Sequence, residues 1–483
     1  MTMLVPWTLT LDERTYDELM MHLFPGDHDE HGAVIAAGIV RTARGTRLLA
    51  RTLFKAVDGV DFVPGRNAYR MLTASFVRDR IRYCRDEHLT YLGIHNHGGS
   101  GDEVQFSDDD IRSHERGYPA LLDISGQPVG GLVLTENALA GDIWTADRSR
   151  RPISQTIVIG RNIRRIYPSP LPRPPKADLR FDRQVRWLGD RGQHALSEMK
   201  VAVVGAGGVG LPLTTMLARL GIGQIVVIDP DRIEPENLPR MPEARQLDAL
   251  MQLRRLPGTE RPWIRALLNR LGTRKIRIAR RAVRRANRGT VFVGIAKSVA
   301  EPDAARELLD CDFIFLAADS QLAMMLVNVI GHQYMIPVLQ MGTRIDVDPD
   351  TGEVGGIRTN VRVIRPSSGC LRCNGRINAA KVQEESTGAA ERERNRYVDE
   401  IPAPSVITFN TLSAAQGATD FLLMLGGLLT EGAPTGYLRF HPRDRTTEPI
   451  EPSAGKSACP HCGTSKLSRR ARGDSVELPL PER

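Results

Sequence analysis

The chain has 483 residues, of which 41% are hydrophobic and 25% charged, with a net charge of +8. That composition suits two or three domains with sizeable cores, and the low aromatic share of 5% speaks against a stacking platform or a membrane belt. The longest clean apolar run, Phe421 to Leu429, falls well short of the ~20 residues a spanning helix needs.

No secretory signal is expected, because Met1 to Leu11 lacks a basic region followed by an apolar stretch. Six cysteines without such a signal point to a reducing cytoplasm. Basic residues alone do not make a nucleic-acid partner.

In chain order, the first 166 residues mix a helix over 16–24 with strands over 33–40 and 91–94. The run Pro168-Ser-Pro-Leu-Pro-Arg-Pro-Pro175 reads as an extended, stiff linker over 167–177. After it, a strand over 200–204, a glycine turn, a helix over 211–220 and a strand over 224–228 make a βαβ unit. Such a unit implies a parallel sheet covered by helices. Further strands are expected over 291–294, 313–316 and 337–340, and residues 464–483 read as a flexible tail. The basic stretch from Arg254 to Arg288 is either a docking face or an amphipathic helix with Ile276, Ile278 and Val283 inward.

His95-Asn-His97 follows an apolar strand, so two imidazoles can share one face and converge on a metal. Asp110, at the start of a helix, could supply a third ligand and leave a zinc position open to water. Glu30 could take the proton of that water, and Ser107 could donate to an oxyanion. Ser107 with Asp110 is also an ordinary capping box, and Glu30 sits in a charged loop.

Glu30, His95-x-His97 and Ser107-x-x-Asp110 together resemble the JAB/MPN (JAMM) metallopeptidases. Members hydrolyse the bond that follows the C-terminus of ubiquitin-like proteins. The resemblance implies zinc on His95, His97 and Asp110, Glu30 as general acid/base and Ser107 at the oxyanion. Here the interval from His97 to Ser107 is longer than the family's, through a loop holding Gly98, Gly99 and Gly101.

In the second half, Gly205-Ala-Gly207-Gly208-Val-Gly210 fits GxGxxG between strand and helix, where backbone amides and the helix end attract phosphate. Asp229 lies 19 residues beyond Gly210, where it could hold ribose hydroxyls. A nicotinamide-dependent dehydrogenase fits equally well up to this point. Arg240 and Lys275 would neutralise a triphosphate, which hydride transfer does not need, and Asp319 at a strand's carboxyl end could hold Mg²⁺.

Arg183-Gln, the glycine loop, Asp229-x-Asp231, Asn237-Leu-x-Arg240, Lys275 and Asp319 together resemble the ThiF/MoeB and ubiquitin-activating adenylyltransferases over 178–463. The resemblance implies adenylation of a ubiquitin-like protein's C-terminal glycine with Mg-ATP. It implies that Gly205, Gly207, Gly208 and Gly210 form the nucleotide loop, and that Asp229 binds ribose. Asn237, Arg240 and Lys275 would handle phosphates, and Asp319 would hold magnesium. Arg183 would be donated across a homodimer interface. Met241 stands where the family usually has Gln.

Cys370-x-x-Cys373 and Cys459-x-x-Cys462 read as one structural zinc site, a disulfide pairing being the alternative. His461 reads as a bystander between two ligands. Residues 374–408 lack the nucleophilic cysteine of many ubiquitin-activating relatives, and Cys84 and Cys311 read as buried thiols. The activated tail would then pass to a separate conjugating enzyme or a sulfur donor. The charged loop from Lys381 to Glu400 could close over the substrate tail or be disordered.

The expected architecture is therefore α/β: a JAMM-type domain over 1–166, then a Rossmann-like, doubly wound ThiF-type domain with a four-cysteine zinc site. The first expectation is a bifunctional enzyme that trims or deconjugates a ubiquitin-like protein and activates it in a bacterial-type conjugation system. Alternatives are activation of a ThiS-like sulfur carrier for biosynthesis, and an inactive JAMM fold that only docks the partner.

Overall fold

The computed structural model describes residues 5–27, 29–63, 70–348, 350–387, 403–434 and 436–481. Part of the charged loop expected over 381–400, from 388 onward, lies outside these residues. Among the described residues no helix is long and apolar enough to cross a membrane.

Two eight-stranded sheets organise the chain. The first contains β1 (Trp7–Asp12), β2 (Gly32–Thr42), β3 (Gly45–Lys55), β4 (Thr90–Asn96), β5 (Val129–Leu134), β6 (Leu139–Trp144), β7 (Arg150–Ile159) and β8 (Ile163–Ile166). Strand β1 pairs in parallel with both β3 and β7, so the sheet curls back on itself and β1 has no free edge. Burial follows composition: β2 opens with nine consecutive buried residues, Gly32 to Val40, because cores lie on both its faces.

The second sheet runs β11 (Val291–Ile295), β10 (Gln224–Ile228), β9 (Lys200–Val204), β12 (Phe313–Leu316), β13 (Val338–Val347), β14 (Val354–Ile364), β15 (Tyr437–His441) and β16 (Thr446–Ile450). The strands from β11 to β13 are parallel and the last three antiparallel. From β9 the chain moves first to β10 and later to β12 on the other side, which leaves a crevice at the strands' carboxyl ends. Helices cover both faces of this Rossmann-like sheet. Gly210–Leu220, Lys275–Ala286 and Ile407–Leu425 contribute to one core, Pro302–Leu308 and Gln321–Gln333 to the other.

The basic stretch takes its amphipathic form. In the helix Lys275–Ala286, Ile278 and Val283 are fully buried, while Arg281 pairs with Asp248 and Arg285 with Glu243.

Two expectations about organisation change. Residues 168–178 have no helix or strand, but they do not hold two halves apart. Val40, Leu49 and Ile159 of the first sheet share a core with Ile314 of the second and with Leu326 and Tyr334 of the helix packed on it. Nor is the segment after 463 a loose tail. Its Arg470 donates to buried Asp12, Arg472 pairs with Glu87, and Gly473 bridges to Ile39. Gly38 permits this approach, since a Cβ there would lie 2.2 Å from the Ala471 carbonyl oxygen. Polar composition suggested disorder, but the arginines find buried carboxylates and carbonyls, which the sequence does not display.

Candidate nucleotide crevice and metal clusters

The glycine turn sits at the switch point between β9 and β12. Gly205 has a φ of +97°, and a Cβ on it would lie 2.8 Å from the Ala317 backbone at the end of β12. A Cβ on Gly210 would lie 1.8 Å from the Gly205 carbonyl oxygen, so these two glycines close the turn itself. Gly207 differs: nothing lies within 4 Å of its Cβ position. Gly208 faces Asn410 and Arg240, whose atoms would lie 2.4 and 3.5 Å from a Cβ.

Asp229, buried at the end of β10, accepts from the Ala206 amide at 2.7 Å and the Asp231 amide at 2.8 Å. Burial pushes its carboxyl up, Lys275 pulls it down and Asp231 pushes it up again. Lys275 Nζ donates to Asp231 at 2.8 Å. Burial opposes the charge on Lys275, but Asp229, Asp231 and Asp319 outweigh it and hold the ammonium above its usual range. The crevice thus gathers three carboxylates about one lysine, a setting suited to a divalent cation and phosphate together.

Asp319 is exposed just past β12. The next residue, Ser320, caps the helix Gln321–Gln333, and Glu385 accepts from the Ser320 hydroxyl at 2.6 Å and the Leu322 amide at 2.8 Å. Asn237 is buried and its Oδ1 accepts from the Glu234 amide at 3.3 Å, which closes the turn Pro235–Arg240. Its side chain therefore shapes the loop that presents half-buried Arg240. Arg183 is exposed on the helix Asp182–Glu198. Its neighbour Gln184 donates to the Leu220 carbonyl at 2.8 Å and so fastens the end of the helix that follows the glycine turn.

The sequence profile of the ThiF family matches residues 181–461. The chain belongs to the ThiF family. Among ThiF-related proteins it is 24% identical over 287 residues to the sulfur carrier protein ThiS adenylyltransferase of Bacillus subtilis, covering 59% of this chain and 71% of that one. It is 32% identical over 172 residues to the adenylyltransferase and sulfurtransferase MOCS3 of Mus musculus, covering 34% of this chain and 32% of that one. The chain thus spans about a third of the mouse relative's length. A crystal structure of E. coli MccB with succinimide aligns over 59% of this chain and 75% of that one, at 18% identity and a TM-score of 0.43.

The second half of the chain also carries four free cysteines whose sulfurs lie within 4.8 Å of one another. Cys370 and Cys459 are 3.8 Å apart at sulfur, and Cys373 and Cys462 are 3.7 Å apart. Tetrahedral Zn–S bonds of about 2.3 Å require sulfurs about 3.8 Å apart, so this donor set fits zinc. His461 lies outside the four-sulfur group. Its Nδ1 faces Asn328 Nδ2 at 3.3 Å, while Asn328 Oδ1 accepts from the Leu371 amide at 2.9 Å and so anchors the first knuckle.

Cys84 and Cys311 are buried, and burial pushes both thiols up to about 12. Neither is placed to form a thioester at neutral pH.

In the first half, His95 and His97 meet Asp110 where β4 ends. Each Nε2 lies 3.3 Å from an Asp110 oxygen, and the two nitrogens are 3.2 Å apart. Zinc bonds of about 2.0–2.2 Å place donor atoms about 3.3–3.5 Å apart, so these three fit a metal. Burial pushes the Asp110 carboxyl up, but His95, His97 and Ser107 outweigh it and hold it far below the usual range. Burial also pushes Glu30 up, against His95 and His97 and together with Asp110, so Glu30 lies within electrostatic reach of the cluster.

Ser107 is committed locally. Its amide and hydroxyl donate to Asp110 Oδ2 at 2.8 and 2.7 Å, the capping-box arrangement that its sequence also allowed. Asn96, between the histidines, had no assigned role. Its Oδ1 accepts from the His31 amide at 2.6 Å, which pins the Glu30–His31 segment beside β4. The signal was a buried amide between two candidate ligands, which alternation along a strand turns away from the metal.

Proposed function

We propose that this chain is an ATP-dependent adenylyltransferase that activates the C-terminal carboxylate of a small carrier protein of the ThiS-like, ubiquitin-like class. The observation that carries the reading is the turn Gly205–Gly210 facing Lys275, Asp229, Asp231 and Asp319 at the strand ends. The chain's similarity to the Bacillus subtilis ThiS adenylyltransferase favours a sulfur carrier as partner.

In this reading backbone amides at Gly207 and Gly208 receive phosphate, and Asp229 turns its remaining lone pairs to the ribose. Arg240 and Lys275 balance the phosphate charge, and Asp319 would hold magnesium. When bound, that ion draws charge from the leaving pyrophosphate. The carrier's carboxylate oxygen bonds to the α-phosphorus, and the bond to pyrophosphate breaks with its electron pair. Arg183 would serve the neighbouring active site of a homodimer. With Cys84 and Cys311 buried, the adenylate passes to an external acceptor, a sulfur donor or a separate conjugating enzyme.

The test is exchange of labelled pyrophosphate into ATP in the presence of candidate carriers ending in Gly. Carrier-dependent exchange that Asp319→Ala abolishes is expected. ATP binding without exchange on any such carrier would overturn the reading.

One observation supports a second activity in the first half: His95, His97 and Asp110 form a three-donor cluster with Glu30 beside it. We infer a zinc peptidase that frees the carrier's terminal glycine, or removes the carrier from a target. Bound zinc would lower the pKa of a water to about 7, and Glu30 would take that water's proton. Glu30→Gln should end cleavage of a glycine-linked carrier without changing metal content. A wild-type protein that cleaves no such substrate would leave a docking module.

A further inference from the structure

The two halves of the chain enclose a cavity of about 240 Å³. The helix Ile407–Leu425 turns one face to it, for Gln416, Asp420, Leu423 and Met424 recur at helical spacing. Val363 of β14, Leu438 of β15 and Leu429 extend the apolar lining. Arg161, from the turn between β7 and β8, enters from the first half. The lining includes no residue of the nucleotide crevice or of either metal cluster.

Two opposite charges face this space without meeting. Asp420 is only 9% exposed, and its one hydrogen-bond partner among the described residues is Gln416, which donates to Oδ1 at 2.7 Å. Its Oδ2 has none. Arg161 gives Nη1 to the Thr430 carbonyl at 2.8 Å, and the rest of its guanidinium has no partner among the described residues. Neither side chain is ion-paired among those residues. Arg365 also lines the cavity, but Glu13 and Glu451 act on its charge.

Burial makes the lone carboxylate costly and pushes it up to about 6. A cation alone would answer Asp420 and leave Arg161 in the same space, and an anion alone would do the reverse. A molecule with both an ammonium and a carboxylate answers both, through charge-assisted hydrogen bonds at each end. Its other atoms must be aliphatic to suit the lining. They must also be few, since sites for drug-sized ligands begin near ~300 Å³.

We propose that this cavity binds a free apolar α-amino acid, its ammonium on Asp420, its carboxylate on Arg161 and its side chain against Val363, Met424, Leu429 and Leu438. The bound molecule adds a second polar link between the halves beside the contact of Arg161 with Thr430. The proposal stands apart from the adenylation reading.

The experiment uses the full chain with four probes, followed by calorimetry and by melting temperature. They are L-leucine, leucinamide (whose carboxylate is capped), isocaproate (leucine without its amine) and glycine. Wild type should bind leucine and melt higher in its presence. Leucinamide and isocaproate should each bind about ten- to a hundredfold more weakly, the worth of one charge-assisted contact. Glycine should lose about tenfold or more for want of an aliphatic side chain. Asp420→Asn should abolish the preference for leucine over isocaproate, and Arg161→Gln the preference over leucinamide. Each variant should still bind the analogue that lacks the matching charge, which shows that the cavity is intact. Failure of wild type to bind leucine at millimolar concentration overturns the proposal. So does equal binding of leucine and both analogues, or a discrimination that survives both substitutions.

Discussion

Lys275 Nζ donates to Asp231 Oδ2 at 2.8 Å, so the lysine expected to meet phosphate is held by a carboxylate of the same crevice. Asp229 and Asp319 also act on it, which leaves one cation among three anions.

Removing that cation should therefore separate two affinities. Lys275→Met is expected to weaken ATP binding by about ten- to a hundredfold, the worth of a charge-assisted contact. The same change should tighten Mg²⁺ binding in the absence of nucleotide, because three carboxylates then lack their counter-charge. Titration of each ligand by calorimetry checks both signs. Weaker binding of both would show that Lys275 merely supports the crevice.

The glycines of the turn should also part company. Gly207 has open space at its Cβ position, whereas a Cβ on Gly210 would lie 1.8 Å from the Gly205 carbonyl. Gly207→Ala should keep the melting temperature and raise the KM for ATP. Gly210→Ala should cost roughly 2–4 kcal/mol of stability, since backbone must move to make room. Thermal melts beside exchange kinetics would expose an error in either assignment.

Asp420 supplies a pH dependence. It is buried on the helix Ile407–Leu425, and burial pushes its carboxyl up to about 6, with Gln416 pulling the other way at 2.7 Å. Its folded value lies above the ordinary 3.8, so between these limits the folded state holds more protons than the unfolded one. Stability contributed at this position is thus full below about pH 4 and falls as pH rises through about 6. Asp420→Asn should gain about 2–3 kcal/mol at pH 8 and almost nothing at pH 4. Denaturant midpoints at the two pH values decide it; equal gains would refute the buried-charge argument.

Metal removal should act differently at the two clusters. Cys370 and Cys459 lie in the core, and a structural zinc contributes its binding energy to folding. Cys459→Ser should lose one equivalent of zinc and lower the melting temperature. His97→Ala should lose a separate equivalent with little change in melting, since His95, His97 and Asp110 are all only half-buried. Elemental analysis beside calorimetry provides the readout.

Legibility followed the range of the interactions. In the βαβ unit the strands β9 and β10 could be read to the residue and the helix between them to within one, because a short apolar run, a glycine turn and an amphipathic helix are local signals. The donors His95, His97 and Asp110 were legible from strand alternation and a helix start. Roles fixed by distant partners were not. Asn237 looks like a phosphate ligand in sequence, and nothing there shows that its Oδ1 also closes a turn on the Glu234 amide. Gln184 gave no hint of Leu220, 36 positions away. The segment after 463 misled most, since its arginines look solvent-seeking until Asp12 and Glu87 are in view.

That last pairing bears on how the chain is made. Asp12 and Arg470 are 458 positions apart, and Asp12 is nearly sealed from solvent once they meet. At ribosomal speeds of about 5–20 residues per second, the first sheet waits roughly a quarter of a minute to a minute for its counter-ion. Until then it holds an unneutralised carboxylate beside β1 and an uncovered strip along Gly38 and Ile39. The buried charge pair of the first domain is therefore completed only when the last part of the other domain has been made.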